Sequence, residues 1–317
     1  MNQTKTLEQL ILSINKFILN KDFAKAFDET MDALNQFPSS HQLYSLKGNI
    51  LIHNNDFNNA LISINQSKDL NCSLKVYNLS MKEYYYKKGL YLYNNNDFEN
   101  SLDNFQKILD HSLDMAEVSY INISNALNKL GRIDEAIDYL NKSLKISPSY
   151  HIALNNLANI YIDRKDYKAA LPFAEKCYEI EQAIPLYISN YGRVLEGLGD
   201  YSKAKEIYYK LLMVDPANPH TYFILGSFLI RINEYDDLIT LFHSDINIIR
   251  THSQVLNILG EAFMAKNNYD EALKYLLMGL DLNNSNYEIH ANLVKLYTYI
   301  NDTDKVIQHK KIIDDFK

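Results

Sequence analysis

Three asparagines, Asn122, Asn156 and Asn190, stand 34 residues apart. A carboxamide carries both a donor and an acceptor, matching the N–H and C=O that an extended peptide backbone presents. A row of carboxamides at a constant interval could therefore grip a bound chain without reading its side chains. Asn125 and Asn159 repeat the same interval three residues further on, and Arg193 continues that second row with a cation. Asparagine is a mediocre helix former, so placing it in register within helices has a cost that wants a reason. Two other reasons stand beside peptide binding. The carboxamides could bond adjacent helices to one another, or they could belong to a general drift toward asparagine, which occupies 36 of the 317 positions.

Little else in the chain suggests a reaction. The nine histidines show no His-x-x-x-His pair and no acidic third ligand at metal spacing, so no metal site is expected. His41 and His151 read as polar residues at helix starts. Cys72 and Cys177 read as free structural thiols rather than nucleophiles. Gly197-Leu198-Gly199 lacks the third glycine and the Gly-Lys-Ser/Thr of a phosphate loop, and it reads as a turn between helices. No catalytic residue, no cofactor and no enzymatic activity are expected.

Composition narrows the class further. Nine glycines and six prolines are too few for an all-β chain, which needs a turn residue every few positions. A net charge of −7 argues against a nucleic-acid partner. Two cysteines build no disulfide framework, no apolar run reaches membrane-spanning length, and Glu8, Asn15 and Lys16 interrupt any signal-like segment. The expectation is a helical cytoplasmic protein with no membrane association.

The elements that must position these residues recur. The phrase DFAKA at 22–26 returns as DFNNA at 56–60, DFENS at 97–101, RIDEA at 132–136, DYKAA at 166–170, DYSKA at 200–204, EYDDL at 234–238, NYDEA at 268–272 and DTDKV at 302–306. Six of the eight spacings equal 34 residues, and the others are 41 and 35. With the last residue of each phrase at position 20, repeats start near 7, 41, 82, 117, 151, 185, 219, 253 and 287. Position 8 holds Gly48, Gly89, Gly192, Gly226 and Gly260, where a small residue lets two helices approach. Position 17 is aromatic in seven repeats, and positions 14 to 16 carry asparagine or glycine that ends a helix. Each repeat is predicted to be a helix–turn–helix pair. The residues inserted near 75–81 give a longer first helix in repeat three or a local change of superhelix pitch, being too apolar at Val76, Tyr77 and Leu79 for a floppy linker.

This pattern resembles the tetratricopeptide-repeat family over residues 7–317. The resemblance implies an all-α, right-handed superhelical solenoid, forming a single domain over 1–317, whose first helices line a concave face through positions 2, 5, 6, 9, 12 and 13. It places Asn122, Asn125, Asn156, Asn159, Asn190 and Arg193 on that face, where the asparagines resemble the ladder in the repeat arms of O-linked N-acetylglucosamine transferases. Ile224 and Ile258 shorten any such ladder. Repeats that clamp the C-terminal carboxylate of heat-shock chaperones need three cations. Here Ile121, Leu186 and Asn190 stand at their places, so no such clamp is expected. Tyr86 and Tyr93 fall at positions 5 and 12, where they could stack on a partner.

The function these features imply is a non-catalytic scaffold that binds an extended peptide segment of a protein partner. An alternative is an arm that recruits substrate for a glycosyltransferase or sulfotransferase encoded elsewhere, and a third is self-association through the end repeats. The last helix is expected to expose His309, Lys310 and Lys311 as a solvated cap.

Overall fold

A computed structural model describes residues 5–111 and 116–315. Residues 1–4, the start of the segment weighed above as a leader, lie outside them. The described residues form nineteen α-helices and no strand. Backbone contacts divide the chain into two bodies, 1–156 and 157–317.

The first body contains α1 (Leu7–Leu19), α2 (Phe23–Gln36), α3 (His41–His53), α4 (Phe57–Asp69), α5 (Leu74–Asn94), α6 (Phe98–His111), α7 (Ala116–Lys129), α8 (Ile133–Ile146) and the start of α9 (His151–Asp163). The second contains the rest of α9, then α10 (Tyr167–Ile180), α11 (Pro185–Gly197), α12 (Tyr201–Val214), α13 (Pro219–Arg231), α14 (Tyr235–Ser244), α15 (Ile246–Ile249), α16 (Ser253–Ala265), α17 (Tyr269–Leu282), α18 (Tyr287–Tyr299) and α19 (Thr303–Asp314). Helix pairs therefore follow the repeat of the sequence through both bodies, making an all-α repeat solenoid.

The recurring phrase has a local cause. Position 15 adopts a left-handed backbone in every repeat, at Lys21, Asn55, Asn96, Gly131, Lys165, Gly199, Asn233, Asn267 and Asn301, with φ between 56° and 81°. That conformation ends the first helix and suits asparagine or glycine. Position 16 then caps the second helix. Asp22, Asp56, Asp97, Asp166, Asp200, Asn268 and Asp302 each accept a hydrogen bond from the backbone N–H three residues on. The aromatic of position 17 is thus the first residue of the capped helix.

Position 8 acts as expected. A Cβ on Gly48, Gly89, Gly192, Gly226 or Gly260 would come within 2.8, 2.7, 2.5, 2.6 or 2.7 Å of the large side chain at position 24 of the same repeat, namely Ile64, Phe105, Tyr208, Phe242 or Leu276. Ser101 at position 20 donates to the Gly89 carbonyl at 2.9 Å, so the partner helix also needs a small residue there. These contacts seed the core of each body. In the first body, Leu10, Ile14, Ala26, Leu43 and Ile50 cluster at one end, with Leu51, Ala60, Ile64, Met81 and Tyr84 forming a second cluster. One cluster in the second body runs from Ala158 through Tyr208, Phe228 and Phe242 to Tyr297.

Three departures from strict periodicity appear. The insertion of repeat three lengthens α5 to 21 residues as one continuous helix, which packs on α3, α4 and α6. In repeat seven the second helix stops at Ser244, and Ile246–Ile249 form a separate turn of helix. At the C-terminal end His309 is buried, not exposed, although Lys310 and Lys311 do face solvent. Its ring stacks on Tyr297 and its Nδ1 lies 2.8 Å from Nδ1 of His290, so an aromatic surface absorbs it.

Candidate functional site

In the first body Asn122 and Asn125 lie on α7, and Asn156 lies on the first half of α9. All three are half-buried. Asn156 donates its Nδ2–H to Oδ1 of Asn125 at 2.9 Å, linking position 6 of one repeat to position 9 of the repeat before it. The Asn122 Nδ2 is buried and has no hydrogen-bond partner among the described residues. Tyr86 and Tyr93 are half-buried as well, and Tyr93 meets Phe98 edge-on at 5.3 Å.

A related bond, to position 5 instead of position 9 of the preceding repeat, occurs in the second body. Asn292, at position 6 of repeat nine, donates to Oδ1 of Asn257 in repeat eight at 2.9 Å and accepts from Lys295 at 3.1 Å. Both asparagines are 5% exposed. A position-6 asparagine therefore reaches back to the preceding first helix. Asn190 is 3% exposed, whereas Asn159 is half-buried and Arg193 is exposed. Position 6 of repeat seven is Ile224, which offers Arg193 no carboxamide. Among the described residues Arg193 makes no hydrogen bond or ion pair.

Arg193 lines a cavity of about 340 Å³ together with Tyr167, Glu196, Gly197, Tyr201 and Arg231. Helix α11 supplies Arg193, Glu196 and Gly197, while Tyr167 and Tyr201 open α10 and α12 and Arg231 closes α13. Both oxygens of Glu196 are occupied. The Arg231 guanidinium donates to Oε1 at 2.5 Å and to Oε2 at 3.0 Å, and the Tyr208 hydroxyl donates to Oε2 at 3.0 Å. Such a two-point pairing fixes the carboxylate in plane. Burial, then the Glu196 charge, push the Tyr208 hydroxyl well above the usual tyrosine range, so it remains a donor. Gly197 makes room for the cavity wall, because a Cβ there would sit 2.4 Å from the Tyr167 ring.

A second cavity, about 330 Å³, lies two repeats on, lined by Glu261, Met264, Ala265, Asn267, Tyr269, Lys295 and Tyr299. It occupies the same phase. Glu261 stands at position 9, Met264 at 12, Ala265 at 13 and Tyr269 at 17, matching Arg193, Glu196, Gly197 and Tyr201. The aromatic of position 17 meets position 13 of the following repeat: Phe23 stacks on His53 at 4.5 Å and Tyr269 on Tyr299 at 5.7 Å. Positions 12 and 13 were expected on the binding face, but Gly197 was read only as part of a turn, and Glu196, Arg231, Tyr167 and Tyr201 were not singled out. The run of aromatics at position 17 was the signal for the last two.

Among the described residues, no cluster of histidine, cysteine or acidic groups could hold a metal, and no helix is long and apolar enough to cross a membrane. Burial pushes the Cys177 thiol up to about 12, which keeps it protonated and unreactive.

Models of the tetratricopeptide repeat match residues 114–183, 187–218 and 255–286. No curated protein sequence matches the chain. Among solved structures, PilF of Pseudomonas aeruginosa is 19% identical over 62% of this chain and 89% of its own, with a TM-score of 0.51. YrrB, described as a TPR protein with an unusual peptide-binding site, is 20% identical over 58% of this chain and 95% of its own, at a TM-score of 0.47. A chain of the APC/C hetero-tetramer Cut9–Hcn1 is 13% identical over 96% of this chain and 86% of its own, at 0.49. These likenesses concern the fold. With the 34-residue helix pair running through both bodies and the repeat models matching three stretches of it, the chain belongs to the tetratricopeptide-repeat family.

Proposed function

We propose that the protein is a non-catalytic cytoplasmic scaffold that binds an extended segment of a protein partner along the concave face of its first helices. The proposal includes residues 1–317 acting as a single repeat domain. The observation that carries it is the pair of cavities at one repeat phase, each walled by first-helix side chains and a position-17 aromatic. A scaffold that reads an extended chain needs side-chain pockets repeated at the period of its own architecture. Arg193 and Tyr201 serve in that reading as contacts to partner side chains, and Asn159 as a contact to partner backbone. Asn125 and Asn156 contribute with the atoms their mutual bond leaves over, while Asn122 and Asn190 shape the surface from beneath.

A photo-crosslinking contrast tests the proposal. Benzoylphenylalanine replaces Tyr201, which walls the first cavity and is 52% exposed, or Met213, which is 81% exposed near the other end of the same helix. Irradiation in extract of the source cells is expected to give discrete protein adducts at 201 and none at 213. Equal adducts at both positions, or adducts at 213 alone, would remove the first-helix face as the binding surface.

A further inference from the structure

The two cavities share a repeat phase and a size and differ in charge. The cavity at α16–α18 holds one acid and one base, Glu261 and Lys295, and Lys295 already donates to Asn292. The cavity at α11–α13 holds two arginines and one glutamate. Arg231 pairs with that glutamate through two nitrogens, and Tyr208 completes it. Arg193 is left over, an exposed guanidinium with no hydrogen bond or ion pair among the described residues, on a chain whose net charge is −7. An arginine in that position retains its charge at any physiological pH and presents a planar fork suited to a carboxylate.

We infer that the α11–α13 cavity is a pocket for an acidic side chain, which sets its carboxylate on Arg193 and its methylene carbons between Tyr167 and Tyr201. This rests on the concave-face reading above and specifies the partner: an extended segment with an aspartate or glutamate at one fixed place. Three features favour that occupant over an amide or an aromatic. The pocket carries an uncompensated positive charge, so entry of a carboxylate neutralises it. Glu196 is held away from the ligand by Arg231 and Tyr208, so it repels an incoming acid less than a free glutamate would. The two tyrosine walls cover apolar carbons while Arg193 supplies the donors. The pocket differs from a chaperone carboxylate clamp, whose cation places carry Ile121, Leu186 and Asn190.

Selection from a random dodecapeptide phage library on the full-length chain tests the inference, followed by fluorescence anisotropy with the enriched peptides. Enriched sequences are expected to share one acidic position. Changing that acid to its amide is expected to weaken binding at least ten-fold on the wild type and less than two-fold on Arg193→Gln. On Arg193→Glu, a peptide with lysine at that position is expected to bind better than the acidic original, reversing the wild-type order. Glu261→Lys, at the matching place of the other cavity, is expected to keep the acid preference. Circular dichroism melting checks that each variant folds; the exposed setting of Arg193 makes loss of fold unexpected. Enriched peptides without a shared acid, or with an acid insensitive to Arg193, overturn the acidic pocket and leave the concave-face reading standing. Failure to enrich any peptide, or enriched peptides insensitive to Arg193, Tyr201 and Glu261 alike, overturns both.

Discussion

Position 9 of the repeat is a bonded carboxamide in repeat four and an uncommitted cation in repeat six, and the cause lies one repeat further on. Asn125 is met by Asn156, which reaches back from position 6 of repeat five. Arg193 is followed by Ile224 at the same place, which has nothing to donate. Asn292 also reaches back from position 6, but to Asn257 at position 5, leaving Glu261 at position 9 unmet by it. A position-6 asparagine thus joins neighbouring first helices, and where it gives way to Ile224 the Arg193 before it has no such bond.

Asn292 should give the largest effect if this contrast is broken. Replacing it by leucine leaves the buried Asn257 carbonyl and the Lys295 ammonium without their partner, with an expected loss of about 3 kcal/mol, measured by urea unfolding followed through circular dichroism. Asn156→Ala removes a bond between two half-buried groups and is expected to lower stability by about 1 kcal/mol in the same measurement. A loss of partner affinity with unchanged stability would instead assign Asn156 to binding. Ile224→Asn sharpens the comparison in the other direction by giving repeat seven the asparagine that repeat five has. Its carboxamide oxygen is expected to accept from Arg193 and weaken an acidic peptide about five-fold, or about 1 kcal/mol, while the lost packing of Ile224 on the core lowers the melting temperature. An unaltered affinity would detach Arg193 from its neighbour at position 6.

The smallest effect concerns pH at the C-terminal end. Burial first, then His290 and Lys305, hold His309 below the usual imidazole range. Its neutral form therefore stabilises the folded state above the ordinary histidine pKa, and that contribution is lost as pH falls through the lowered value. Amide exchange in α19 is expected to accelerate, relative to its intrinsic rate, between pH 7 and pH 5. His309→Phe, which keeps the stack on Tyr297, should flatten that dependence. An identical pH profile in the variant would place the sensitivity elsewhere.

The repeat was legible because its determinants are local. Gly or Asn at position 15, Asp at 16 and a small residue at 8 act within one helix pair, so period and helix pairing can be read directly from spacing. The long α5 was legible for the same reason, since Val76, Tyr77 and Leu79 sit in an apolar insertion that continues a helix. The bonding of the asparagines was not, because the partner of Asn125 depends on what stands at 156, and periodicity marks the phase of a side chain without its commitments. Arg193 was identified by phase, whereas Glu196, Arg231 and the two tyrosines converge on it only once three helices have packed. His309 misled for a simpler reason: a histidine among lysines looks solvated until Tyr297 and His290 are seen to enclose it. The break at Asp245 follows no repeat position, and the structure offers no local reason for it.

The left-handed turns carry a consequence for heat tolerance. Lys21 and Lys165 hold the same backbone angles that asparagine adopts at five other turns and glycine at two, yet their Cβ substituents strain there without the local hydrogen bonding an asparagine side chain can offer. Each is expected to depress the melting temperature by the equivalent of about 1 kcal/mol. The turn at Lys21 lies apart from the residues that wall either cavity, whereas Lys165 stands two residues before Tyr167 of the first cavity wall. The chain's own repeats therefore contain the recipe for a hardier version of it, two substitutions away, the one at Lys21 clear of both cavities.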